Sequence, residues 1–208
     1  MASINVRADG PYAVTGAPPI TRRRIVANDD GDSTEWETTA ELDTSDEVLL
    51  CRCGGSQNKP FCDSSHASNG FTADDGDAGS YDERSKVLGG QQVTIRDDRS
   101  ICVHAAFCTN KVTSVCKMTR AGVDDADITS LIDRCPSGAL TYETEPLLER
   151  AVAAIADGPL WVTGAMPITL PDGTDLEPRN RVTLCRCGAS NTKPLCDGSH
   201  KEIEFHDA

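Results

Sequence analysis

The sequence predicts a small three-part α+β protein, with two β-rich outer modules around a strand–helix–strand middle domain. Three observations predict it. The chain carries a long internal duplication, its ten cysteines fall into three groups, and a helical periodicity lies between two strand-like segments. A length of 208 residues allows one or two ordinary domains or three very small ones. Hydrophobic residues make up 38% of the chain and aromatic ones 4%, a thin supply for one large core. Small domains of that kind usually depend on cross-links or metals.

The duplication has two matching blocks. Residues 10–21 (GPYAVTGAPPIT) match 158–169 (GPLWVTGAMPIT), and residues 50–66 (LCRCGGSQNKPFCDSSH) match 184–200 (LCRCGASNTKPLCDGSH). The offset is 148 in the first block and 134 in the second, so the first copy holds 14 extra residues. They belong to the polar stretch 28–46, read as a loop or hairpin insertion. The outer modules are thus expected at 1–72 and 147–208, and the middle domain at 73–146. Within that middle part, 72–90 is rich in Asp, Gly and Ser and reads as a linker. Residues 91–96 read as a strand. Residues 124–134 carry Ile128, Leu131 and Ile132 at helical spacing, and 140–144 read as a returning strand. Residues 145–157 read as an amphipathic helix that Gly158 stops.

Lys and Arg number 20 against 33 Asp and Glu, a formal net charge of −13. This argues against a general nucleic-acid binder, which needs a basic footprint. The acidic surplus reads as a solvated surface. The first ten residues hold no apolar core of signal-peptide length, and no run of about 18 apolar residues appears. A cytoplasmic protein with no membrane partner is expected. In a reducing compartment its cysteines suit metal ligation better than disulfides.

The first cysteine group is Cys51, Cys53 and Cys62 with His66; the second is Cys185, Cys187 and Cys196 with His200. Both follow C-x-C-x8-C-x3-H. In an extended segment, residues i and i+2 point to the same side, so each C-x-C pair can grip one metal ion. Pro60 and Pro194 pre-set the backbone before the third cysteine. Asp63 and Asp197 read as helix N-caps, with His66 and His200 at the third helical position. A helix N-terminus facing the site would suit an anionic metal–sulfur centre. On spacing alone, a single Cys3His zinc and a two-iron cluster with two ligand pairs both remain open.

These segments resemble the CDGSH iron–sulfur domain, the mitoNEET/Miner family, whose pattern is C-x-C-x2-S/T-x3-P-x-C-D-G-S-H. The second copy matches at Cys185, Cys187, Ser190, Pro194 and throughout 196–200. The first matches at Cys51, Cys53, Ser56, Pro60, Cys62, Asp63, Ser65 and His66. It departs at Ser64, where the family has glycine; a positive φ there would strain a serine. The resemblance implies one [2Fe–2S] cluster per copy. One iron would be held by the C-x-C pair, the other by the third cysteine and the histidine. Simple family members are two-fold dimers with exchanged strands. The resemblance therefore implies an intrachain pseudo-two-fold dimer, a monomer in which 10–21 and 158–169 complete the sheet; the alternative is ordinary core strands within each module.

The third group is Cys102, Cys108, Cys116 and Cys135. C-x5-C followed by a distant Cys135-Pro136 resembles a divergent single-cluster ferredoxin domain, with Ala105 in place of the middle cysteine of C-x2-C-x2-C. Cys102, Cys108 and Cys135 alone would suit a [3Fe–4S] cluster. A [4Fe–4S] cluster would need His104 or Cys116 as well. Cys116 also reads as a buried structural thiol, His104 as a packing residue, and the whole domain as a spacer that has lost its cluster.

A histidine ligand replaces an anionic thiolate with neutral imidazole. This raises the potential, and the outer ring nitrogen couples reduction to protonation. Electron transfer to a redox partner and donation of a cluster to an apo-protein acceptor both follow. Lys59 and Lys193 read as solvated loop lysines or as groups that tune the potential or meet an acidic partner, and His206 has no assigned role. No catalytic triad, phosphate loop or carboxylate pair stands out, so no enzyme activity is expected. A structural zinc module without redox role is the alternative.

Overall fold

The computed structural model describes residues 1–42, 45–76 and 79–207. The first copy supplies β1 (Ser3–Val6), β2 (Tyr12–Thr15), β3 (Ile20–Ala27), β4 (Ser33–Leu42) and β5 (Glu47–Leu50). The middle part supplies α1 (Tyr81–Arg84), β6 (Lys86–Gly89), β7 (Ile95–Asp97), α2 (Val115–Ala121), α3 (Asp125–Ile132) and β8 (Leu140–Tyr142). The second copy supplies β9 (Val152–Ile155), β10 (Leu160–Thr163), β11 (Ile168–Thr169) and β12 (Arg181–Leu184).

The two copies exchange strands. One sheet runs β11-β1-β2-β5 and the other β12-β10-β9-β3-β4. The first contains one strand of the second copy, β11, and the second contains two of the first copy, β3 and β4. Ile4 pairs with Ile168 in parallel, and Val152 pairs with Ile20 in parallel. These registers are reciprocal under the 148-residue offset, so the chain builds a pseudo-two-fold pair within itself. The hairpin that starts each copy turns at the same tetrapeptide, Ala-Asp-Gly-Pro, at 8–11 and 156–159. Asp9 and Asp157 take left-handed backbone there (φ 44° and 51°), a conformation aspartate tolerates better than most residues. Both sheets share one core, with Ile4, Tyr12, Leu50, Val152, Leu160 and Leu184 buried. Each such side chain contributes roughly 1.5–3 kcal/mol by leaving water.

The middle domain has its own small core of Ile95, Val115, Ile128, Ile132 and Leu140. Asp124 caps α3 by accepting the Ala126 N–H at 2.8 Å, as the periodicity of 124–134 requires, and β8 returns as expected. Among the described residues no helix is long and apolar enough to cross a membrane.

Four expectations are corrected. Residues 145–157 are not a helix: 152–155 form β9, buried at every position, and Gly158 closes a hairpin turn, its N–H on Ile155 O at 3.0 Å. The expected linker 72–90 contains α1 and β6; its residues 77–78 lie outside the described residues. The strand expected at 91–96 starts at Ile95, because the N–H groups of Gln91, Gln92 and Val93 turn onto the carboxylate of Asp125 instead. The histidine turn of the first copy is a short 3-10 turn, Ser65–Ala67, and the second is non-helical. Neither histidine turn therefore supplies the expected α-helix N-terminus. The insertion is the hairpin of β3 with β4, Ile20 pairing Leu42; its residues 43–44 lie outside the described residues.

Candidate functional site

Each C-x-C segment leaves the end of a core strand. The returning loop is closed by one bridge, Leu50 with Phe61 in the first copy and Leu184 with Leu195 in the second. Backbone bonds flank each bridge: Cys51 N–H to Pro60 O (2.7 Å) and Cys62 N–H to Leu49 O (2.8 Å), with Cys185 to Pro194 and Cys196 to Thr183 both at 2.9 Å. The four candidate ligands of each copy are thereby brought to one loop.

They sit as two pairs. Cys51 Sγ and Cys53 Sγ are 3.8 Å apart, and Cys62 Sγ lies 3.5 Å from His66 Nδ1. In the second copy the distances are 3.7 and 3.5 Å. A tetrahedral ion with metal–sulfur bonds of about 2.3 Å and metal–nitrogen bonds of about 2.0 Å places S···S near about 3.8 Å and S···N near about 3.5 Å. Both kinds of pair match these values. Among the described residues no three such side chains converge on one metal-sized point.

The loop is tied down by polar side chains. Asp63 accepts from Gln57 N–H (2.8 Å) and Ser65 N–H (3.0 Å). Asp197 does the same with Asn191 (2.9 Å) and Ser199 (3.0 Å). Hydrogen bonds from the Ser65 hydroxyl and the Gln57 amide hold the Asp63 carboxyl down at about 2. Ser56 and Ser190 each donate to a loop carbonyl at 2.7 Å. Lys59 and Lys193 fold back to donate to Ser56 O (2.8 Å) and Ser190 O (2.5 Å), so both lysines brace the ligand loop.

Sequence reasoning missed the residue between each cysteine pair. Arg52 and Arg186 are buried, at 2% and 1% exposure. Arg52 donates to Arg7 O and pairs with Asp75. Arg186 donates to Gly158 O and Ile155 O and pairs with Asp207. The recurrence of C-R-C in both copies was the available signal. Tyr12 was also missed. Its hydroxyl crosses from the first copy to donate to Cys185 O at 2.7 Å, and burial raises its pKa so that it stays a donor. Burial also pushes the Cys196 thiol up to about 12.

In the middle domain, Cys102, Cys108 and Cys135 line one cavity together with His104. Burial raises the Cys108 pKa, and the nearby Cys135 and Cys102 raise it further. His104 and Ala106 take left-handed backbone (φ 55° and 64°). Cys116 is not among the cavity residues. It is half-buried on α2, 3.6 Å from the Arg99 guanidinium. His206 is exposed at the chain's end, beside Asp157.

No curated protein and no solved structure matches the chain. Family models do match. The "Divergent 4Fe-4S mono-cluster" model covers residues 88–145. The "Iron-binding zinc finger CDGSH type" model covers residues 9–67 and 157–201, together half of the chain. The duplicated ligand loops, their reciprocal strand exchange and these matches agree: the chain belongs to the CDGSH iron-binding family, as a tandem iron–sulfur member with a divergent ferredoxin-type domain between its two copies.

Proposed function

We propose that the protein carries electrons or delivers clusters, with two [2Fe–2S] centres each held by three cysteines and one histidine. Cys51 with Cys53 and Cys62 with His66 form the two ligand pairs of the first; Cys185 with Cys187 and Cys196 with His200 form those of the second. The observation that carries this reading is the pairing itself. Each pair has the spacing of two ligands on one tetrahedral ion, and among the described residues no trio converges on one ion. A single structural zinc needs all four donors around one point, so the geometry favours two metals per loop. Cys102, Cys108 and Cys135 would hold a further iron–sulfur centre in the middle domain, with His104 at the same cavity.

The centres supply reversible one-electron chemistry when bound. The chain's residues supply the rest. Asp63 and Asp197 fix the histidine turns; Arg52 and Arg186 lock the C-x-C segments through main-chain carbonyls. Nδ1 is the histidine nitrogen nearest the cysteine sulfur, which leaves Nε2 to hold or release a proton. The partner is a redox protein or an apo-protein acceptor, and the chain itself acts as a carrier rather than a catalyst.

Voltammetry of His66→Cys and His200→Cys tests the ligand assignment. Each substitution is expected to lower the potential of its own centre and to remove its pH dependence. Unchanged potentials in both variants would refute it.

A further inference from the structure

The two CDGSH copies are equal in ligands and unequal in surroundings. At the second site Cys196 is 1% exposed and His200 4%, and Gly198 is buried between them. At the first, Cys62 and His66 are only half-buried, and Ser64 is exposed. The middle domain produces the difference. Its loop from Cys102 to Phe107 lies on Gly198: a Cβ there would meet His104 Cδ2 at 2.8 Å and Cys102 O at 2.9 Å. Glycine is thus required in the second motif by a close backbone approach. In the first copy the matching residue, Ser64, is exposed and keeps its side chain at a φ of 70°.

The loop is held down from its other side by the insertion hairpin. Ser33 at the start of β4 donates to Ala105 O at 2.8 Å. Trp36 packs against Phe107 with ring centroids 5.0 Å apart and donates to Arg134 O at 2.9 Å. Two departures from the repeat, the extra hairpin of the first copy and the serine-for-glycine difference, therefore concern one contact. The middle-domain loop is clamped between β4 and the second site.

We propose that the two sites divide their labour: the first is the one that meets a partner and exchanges its cluster, and the second is retained beneath the middle domain. This rests on the cluster-carrying reading above. Exchange is ligand substitution on an acceptor protein or small molecule that offers thiolates. Each protein–iron bond that breaks is replaced by one from an acceptor thiolate. Iron and sulfide keep their oxidation states; of the four protons the acceptor thiols give up, three pass to the freed cysteines and one to solvent, and the histidine leaves as neutral imidazole. Access for the incoming thiolate then decides the rate, and the covered site must first open its loop.

The test is loss of the protein-held two-iron EPR signal when the full-length, reconstituted protein is incubated with excess glutathione, small molecules being removed and samples reduced before each spectrum. Two phases are expected, the slow one slower by about tenfold or more. Cys62→Ala should abolish the fast phase and Cys196→Ala the slow one. Trp36→Ala should speed the slow phase alone, and Ser33→Ala should do so more mildly if the tryptophan variant folds poorly. A single rate, a fast phase that belongs to Cys196, or a slow phase indifferent to both hairpin variants would overturn the proposal. Protein that takes up no iron and sulfide at all would instead overturn the cluster-carrying reading.

Discussion

Cys53 and Cys187 face each other across an isolated antiparallel bridge, so the two ligand loops meet back to back at the pseudo-two-fold. The residue after each cysteine is a glycine in the left-handed region, Gly54 at φ 75° and Gly188 at φ 83°. A Cβ on Gly54 would fall 2.7 Å from Cys187 O, and one on Gly188 3.0 Å from Cys53 O. Gly54→Ala combines backbone strain with a clash against main chain that has no room to yield. It is expected to cost about 1–3 kcal/mol, read as a lower denaturation midpoint. A midpoint equal to that of the parent protein would show that the loops do not meet in this way.

Tyr12 tests the crossover between copies. Its counterpart in the repeat is Leu160, which offers no hydroxyl to the first ligand loop. Tyr12→Phe leaves the buried Cys185 carbonyl without this donor and should destabilise the protein by about 1–3 kcal/mol. The loss should appear in chemical denaturation of the metal-free chain as well as of the loaded one. Equal stability of parent and variant would remove Tyr12 from the account.

Ser64 is the one residue of the first motif that works against its own backbone. A left-handed non-glycine residue costs roughly 1–2 kcal/mol, and glycine gives part of that back as unfolded-state entropy. Ser64→Gly is expected to raise the thermal midpoint by a small amount, whereas Gly198→Ser should lower it sharply, because His104 occupies the space. Similar effects from the two reciprocal exchanges would contradict the asymmetry between the sites.

Asp125 gives a pH dependence away from the ligand loops. Its carboxylate accepts from the N–H groups of Gln91, Gln92 and Val93, and these bonds lower its pKa. Folding therefore favours the ionised form. The stabilisation is complete above the ordinary aspartate range and is lost as pH falls through the lower, folded value. Asp125→Asn should be less stable than the parent at pH 7, with the gap closing below about pH 4. A gap that stays constant from pH 7 to pH 3 would contradict this reading.

The ligand loops and the exchange of strands were legible because the chain states them twice. Cys51 and Cys185 fall at equal places in two copies, and Ile4 with Val152 keep the spacing that makes the exchange reciprocal. The strand at 152–155 was not legible as a strand. It is buried on both faces, so its apolar run lacks alternation and reads like the face of a helix. The Asp-Gly of residues 157–158 was the contrary signal, since that dipeptide favours hairpins. The docking of Trp36 onto Phe107 lay beyond the sequence, because residues 71 positions apart on different modules share no local pattern.

The most direct test is a count of iron, acid-labile sulfide and zinc in one anaerobically purified sample. The account predicts about four irons and four sulfides per chain from the two outer sites, rising to about seven or eight irons with the middle site filled. Zinc at about two or three per chain without sulfide, in protein that also fails to take up iron and sulfide, would contradict it.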